Sequence, residues 1–189
     1  MGVVNCTPDS FYAGSRVQDT DCALNRIETI LREGAAIVDI GACSTRPGAS
    51  WPSPMEEWNR LEPVLLQAKE KFPEALFSID TFRPVIVKKA YELLGRFWVN
   101  DIFAGCYDNA MMPLIASLGL PWIAMHQERY DGPEGITRFF NRIRDAAARY
   151  GIKEYILDPG FGFNKDVDQN YEVLSRLHTL VPKNEKGDP

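Results

Sequence analysis

Several absences narrow the field before any motif is weighed. No apolar run approaches the roughly 20 residues that cross a bilayer, so no membrane partner is expected. Lys and Arg total 21 against 26 Asp and Glu, without a basic block, so nucleic acid has no electrostatic footprint here. The first residues lack the charged region and apolar core of a signal peptide, and Cys6 stands where a myristoylation signal has Ser or Thr. A cytoplasmic location is the expectation. The four cysteines (Cys6, Cys22, Cys43 and Cys106) form no C-x-x-C pair. They read as free thiols rather than a disulfide framework or a metal cluster. Neither a Walker loop nor a G-x-G-x-x-G fingerprint occurs.

What is present is ordinary for one globular domain: 189 residues, 45% hydrophobic and 25% charged. Apolar runs of strand length recur at Gly2–Asn5, Ala36–Ile40, Leu76–Ile79, Phe97–Val99, Trp122–Met125 and Tyr155–Leu157. Helical periodicity fills the gaps, through Leu24, Ile27 and Leu31, then Leu114, Ile115 and Leu118, then Ile136, Phe139, Phe140 and Ile143, and finally Tyr171, Leu174 and Leu177. Ser53-Pro54-Met55-Glu56 reads as a capping box with proline at the first helical position. Pro63 is expected to kink or split the helix it opens. Continuous apolar strands alternating with helices argue for a parallel sheet covered by helices. A doubly wound open sheet and a (β/α)8 TIM barrel both repeat this unit.

Polar residues favour the barrel. Almost every strand ends on one: Asn5, Asp39, Asp80, Asn100-Asp101, His126 and Asp158. An open sheet gathers its ligand groups at one switch point, whereas a barrel collects them from many strand ends around a common mouth. Taken singly each is weak. An Asp after a strand is more often a helix cap, Asp39 could be a satisfied buried carboxylate, and His126 a packed histidine with one hydrogen bond. Two loops add to the pattern. Gly41–Gly48, with Cys43, Ser44, Thr45, Arg46 and Pro47, offers hydroxyls and a guanidinium suited to an anion. Asp158–Lys165 pairs glycines, which admit close backbone approach, with two phenylalanines able to wall a flat ring.

These motifs resemble dihydropteroate synthase. The resemblance rests on N-x-T-P-D-S-F at Asn5–Phe11, S-T-R-P-G at Ser44–Gly48, S-I-D-T at Ser78–Thr81, N-D-I at Asn100–Ile102, M-H at Met125–His126 and D-P-G-F-G-F at Asp158–Phe163. It implies a TIM barrel that joins 6-hydroxymethyl-7,8-dihydropterin diphosphate to para-aminobenzoate, releasing diphosphate with Mg2+ assisting. Asn5 would be the metal ligand. Asp9 would steady the forming pterin cation, and Thr45 and Arg46 would bind an anion beside Ser44 and Pro47. Asp80, Asn100 and Asp158 would hold the pterin, with Ile102, Met125 and Phe163 alongside. The chemistry suits these residue types: a carboxylate can accept from two adjacent ring donors, and an amide serves the remaining edge. No strong general base is needed and none is evident. A homodimer is among the expectations.

Cys6 and Cys43 depart from the family pattern without touching these ligands. The resemblance also implies a first strand that starts upstream of Met1, and a seventh and eighth unit with S-R-K and R-x-H motifs that have no match here. The expected arrangement is therefore about six β/α units over residues 1–182 and a polar tail over 183–189, with weak or no catalysis by the chain as given. A methyltetrahydrofolate-binding methyltransferase domain would share the pterin residues but lack the loops at Thr7–Phe11 and Ser44–Gly48. A non-catalytic pterin-binding module is the other alternative.

Overall fold

A computed structural model describes residues 1–7, 16–44 and 49–180. Six strands alternate with helices: β1 (Gly2–Asn5), α1 (Arg16–Arg32), β2 (Ile37–Gly41), α2 (Pro54–Lys71), β3 (Leu76–Asp80), α3 (Pro84–Leu94), β4 (Trp98–Asp101), α4 (Met111–Leu118), β5 (Trp122–Met125), α5 (Pro133–Tyr150), β6 (Tyr155–Asp158), α6 (Val167–Ser175) and α7 (Leu177–Leu180). All six strands lie parallel in one sheet in the order β1-β2-β3-β4-β5-β6. This order settles what periodicity left open. A doubly wound sheet reverses its strand order at a switch point; here each crossover advances one strand in the same direction, as in a barrel.

Side chains alternate across the sheet because the strand repeat is two residues. Val4, Val38, Ile40, Phe77, Ile79, Val99, Trp122 and Ala124 point toward the helices and are buried. They meet Leu24, Ile27, Leu61, Leu65, Ile86, Ile115, Ile136 and Phe140 in one core. Register puts Asn5, Gly41, Asp80 and Asn100 in a single row on the opposite, concave face, with Met125 and Asp158 on the same face. The exposed apolar residues Val3, Leu76 and Ile156 lie on that face too.

The capping box is present: Ser53 N–H donates to Glu56 Oε2 at 2.7 Å, and Glu56 N–H to Ser53 Oγ at 3.2 Å. Two local expectations need correction. α2 continues through Pro63 without splitting, because Leu61, Val64 and Leu65 bury the turns on both sides of it and hold the helix against the core. The stripe Tyr171, Leu174 and Leu177 does not face the core. All three are exposed while Val173 is buried, and Tyr171 and Leu174 line a surface groove with Phe161 and Val167. Short helices with apolar residues on two faces give periodicity no means of choosing between them. The proposed tail at 183–189 lies outside the described residues.

Candidate active site

The C-terminal ends of the strands collect the polar residues. Asp80 ends β3, Asn100 stands one residue before the end of β4, Met125 ends β5 and Asp158 ends β6. Asn5 ends β1 and is exposed. Gly41 belongs to this arrangement for a steric reason: a Cβ there would stand 2.9 Å from Asp80 Oδ2, so glycine lets the carboxylate lie across β2.

The acidic groups are crowded. Burial raises the Asp80 carboxyl well above the usual carboxylate range, and repulsion from Asp39, Glu57 and Asp101 adds to it. Asp39 is buried, and burial raises its carboxyl too. Its Oδ2 accepts from Asn100 Nδ2 at 3.1 Å, while its Oδ1 has no partner among the described residues. Ser78 Oγ lies opposite in register but outside hydrogen-bonding geometry. Asp39 is thus only half satisfied, and its one bond turns the Asn100 carboxamide so that Oδ1 is left to accept. Asp101 is neither free for a ligand nor a helix cap. Its carboxylate accepts from the N–H groups of Phe103 (2.9 Å) and Gly105 (2.6 Å), shaping the turn, and burial pushes it up to about 6.

Apolar neighbours wall the mouth. Ile102, Met125, Cys43 and Phe82 form a small buried cluster with Phe103 and Phe163 packed on it. Phe82, Phe103, Tyr107 and Trp51 stack in mutual contact, with centroids from 4.5 to 5.9 Å apart. Cys43 Sγ is a packed thiol, pushed up to about 11 chiefly by burial. Ser44 is half-buried beside it.

Three features escaped the sequence reading. The aromatic quartet comes from three separate loops, so no local pattern announced it. Glu57 is fully buried on α2 and accepts from Thr81 Oγ1 (2.7 Å) and Arg83 NH1 (2.5 Å). Arg83 NH2 also donates to the Pro52 carbonyl (2.7 Å) and Arg60 NH1 to the Ala42 carbonyl (3.2 Å). Both ends of the 42–52 loop are therefore tied to neighbouring elements. A Glu in a helix periodicity looks like a solvated face, and only its arginine partner, 26 residues away, makes it a core residue. Third, Lys165 lies beneath the loop after β6, and nothing in its spacing signals burial. His126 has packed surroundings. It is buried, edge-on to Phe139 at 5.0 Å, and its Nδ1 lies 3.4 Å from Lys165 Nζ. Of the residues singled out from the sequence, Asp9, Thr45, Arg46 and Pro47 lie outside the described residues.

Comparison with known proteins bears on the same residues. The family model described as "Pterin binding enzyme" matches residues 1–186. A dihydropteroate synthase of Streptococcus pyogenes serotype M3 is 39% identical over 183 residues, covering 94% of this chain and 68% of the relative. The mitochondrial folate synthesis bifunctional protein of Arabidopsis thaliana is 37% identical over 195 residues; the match covers 94% of this chain but 35% of that longer protein. Among solved structures, Xanthomonas albilineans dihydropteroate synthase with 4-aminobenzoic acid superposes with a TM-score of 0.87 at 33% identity, over 95% of this chain and 67% of that one. The same enzyme in complex with 7,8-dihydropteroate gives 0.83 at 31% identity, over 100% of this chain and 69% of that one. With a pterin-binding model matched along nearly the whole chain and a dihydropteroate synthase sharing more than a third of its residues, the chain belongs to the pterin binding enzyme family, among the dihydropteroate synthases.

Proposed function

We propose that this chain binds 6-hydroxymethyl-7,8-dihydropterin diphosphate at the strand ends and joins it to para-aminobenzoate, giving 7,8-dihydropteroate and diphosphate. The observation that carries this is the placement of Asp80, Asn100 and Asp158 on one face and at one end of the sheet. Two carboxylates and an amide oxygen make this end of the sheet rich in acceptors. The pterin edge is the complement, with a ring N–H and an amino group side by side. Ile102, Met125 and Phe163 flank these acceptors and are suited to the flat faces of the rings.

The reaction breaks the bond between the pterin methylene carbon and the diphosphate oxygen and forms one to the aniline nitrogen, which then loses a proton to solvent. An amine of this kind needs no strong base. Holding two rings in line and neutralising the departing charge are the larger tasks. On the sequence, Asp9, Thr45 and Arg46 would serve the developing cation and the anions, with Ser44 and Pro47 beside the second ring.

Mg2+ fits the residues present. Asn5 offers a single neutral amide oxygen at the rim, and among the described residues no group of three His, Cys, Asp or Glu side chains could cage a cation. Mg2+ keeps several waters and is commonly held by substrate phosphates with few protein ligands. Asn5 would hold it, and the ion would supply charge to the leaving diphosphate.

Calorimetric titration with dihydropterin diphosphate, followed by a turnover assay with para-aminobenzoate and Mg2+, tests the proposal. Saturable binding and dihydropteroate formation are expected. No binding of the pterin would end it, and binding without turnover would reduce it to a pterin-binding role.

A further inference from the structure

Lys165 closes the loop after β6, and its side chain turns back beneath that loop. It is buried, and among the described residues it forms no ion pair. A buried charge with no carboxylate in contact is expensive unless dipoles replace its water; here they do, with a longer-range attraction from Asp158 beside them. Nζ donates to the carbonyls of Gly160 at 2.9 Å and Phe163 at 3.0 Å, and it lies 3.4 Å from His126 Nδ1.

An ammonium has three hydrogens and no acceptor. Three partners therefore use all three hydrogens, and this assigns the histidine: Nδ1 must present its lone pair, so the ring proton sits on Nε2. Burial, with the neighbouring ammonium, lowers the His126 pKa and keeps the ring neutral. The backbone closes the same unit from the other side. His126 N–H donates to the Asp158 carbonyl at 2.8 Å, and Gly160 N–H to Asp158 Oδ1 at 2.7 Å. Gly160 sits at φ +69°, where a Cβ would come within 2.2 Å of the His126 carbonyl oxygen. The turn is thus pressed onto β5 at one point and tied from beneath at two others. Asp158 starts this turn and Phe163 ends it, so whatever fixes the turn fixes both.

We propose that Lys165 is a positioning residue: its ammonium, bonded to the neutral Nε2–H tautomer of His126, locks residues 158–163 so that Asp158 and Phe163 are presented to the substrate together. The proposal rests on the pterin-binding function above and adds the residue that holds its β6 loop in place.

The chain has two histidines, so long-range 1H–15N NMR reads the His126 tautomer directly. The Nε2–H form is expected in the wild type, a mixture in Lys165→Met, and the wild-type form largely restored in Lys165→Arg. Loss of the three bonds should raise the dissociation constant for dihydropterin diphosphate about tenfold or more in Lys165→Met, with Lys165→Arg between. An Nδ1–H ring in the wild type, or Lys165→Met binding within about twofold of it, would overturn the lock. Should Lys165→Met fail to fold, the wild-type tautomer alone decides. The two ideas fail differently: an Nδ1–H ring with tight pterin binding removes the lock and leaves the function, whereas an Nε2–H ring without pterin binding removes the function and with it the substrate role of the lock.

Discussion

Val38, Ile40, Ile79 and Val99 leave the sheet toward the helices and are completely buried. Asp39, Ser78, Asp80 and Asn100 sit one residue away in the same strands and point the other way. The outer face is mostly apolar and close-packed, though Trp122 Nε1 finds no hydrogen-bond partner there among the described residues. The inner face near the mouth holds carboxylates whose ionisation burial opposes, and one carboxylate oxygen with no partner. Stability is concentrated on one face of a strand and readiness for a ligand on the other. Substitutions on the two faces should therefore separate folding from binding.

The outer face should show the largest effect. Ile79→Ala removes a fully buried side chain and should cost about 2–5 kcal/mol in chemical denaturation, with the pterin dissociation constant of the folded fraction unchanged. A clear change in affinity would show that the faces are not independent. Asp158→Ala should do the reverse. Two ring donors left unpaired at about 1–3 kcal/mol each weaken pterin binding by roughly 100-fold, while stability changes little beyond the lost Gly160 N–H bond. An unaltered dissociation constant would remove Asp158 from the site.

A smaller effect concerns pH. Asp101 is raised from 3.8 to about 6, so the folded chain binds its proton more tightly than the unfolded chain does. Its contribution is fully present below the unfolded value and is lost as pH rises through about 6. Asp39 and Asp80 are raised in the same sense. Denaturation midpoints of the ligand-free chain should therefore fall as pH climbs through this range. A rise over the same range would mean that these carboxylates are better solvated than their burial indicates.

The sequence carried the outer face more fully than the inner one, for a physical reason. Apolar runs and helix periodicity are local, so all six strands and the Ser53 cap were legible from neighbouring residues. The polar strand ends were legible as a set, and Asp80, Asn100 and Asp158 share one face as expected. What could not be read were interactions closed across the fold. Asp39 orienting Asn100 spans 61 residues, Glu57 meeting Arg83 spans 26, and Lys165 reaching His126 spans 39. Tyr171, Leu174 and Leu177 erred in the other direction, since a periodic apolar stripe does not say whether anything packs on it.

Asp80→Asn tests the separation of the two faces most directly, because it makes both properties move at once and in opposite senses. The amide keeps the shape and removes a charge that burial, Asp39, Glu57 and Asp101 all oppose. It also places an NH2 where a ring donor needs an acceptor. Denaturation and dihydropterin diphosphate titration of this variant, measured at one neutral pH beside the wild type, should show a more stable chain that binds the pterin more weakly. A variant that is less stable and binds as well as the wild type would contradict the account, placing Asp80 in the scaffold rather than in the site.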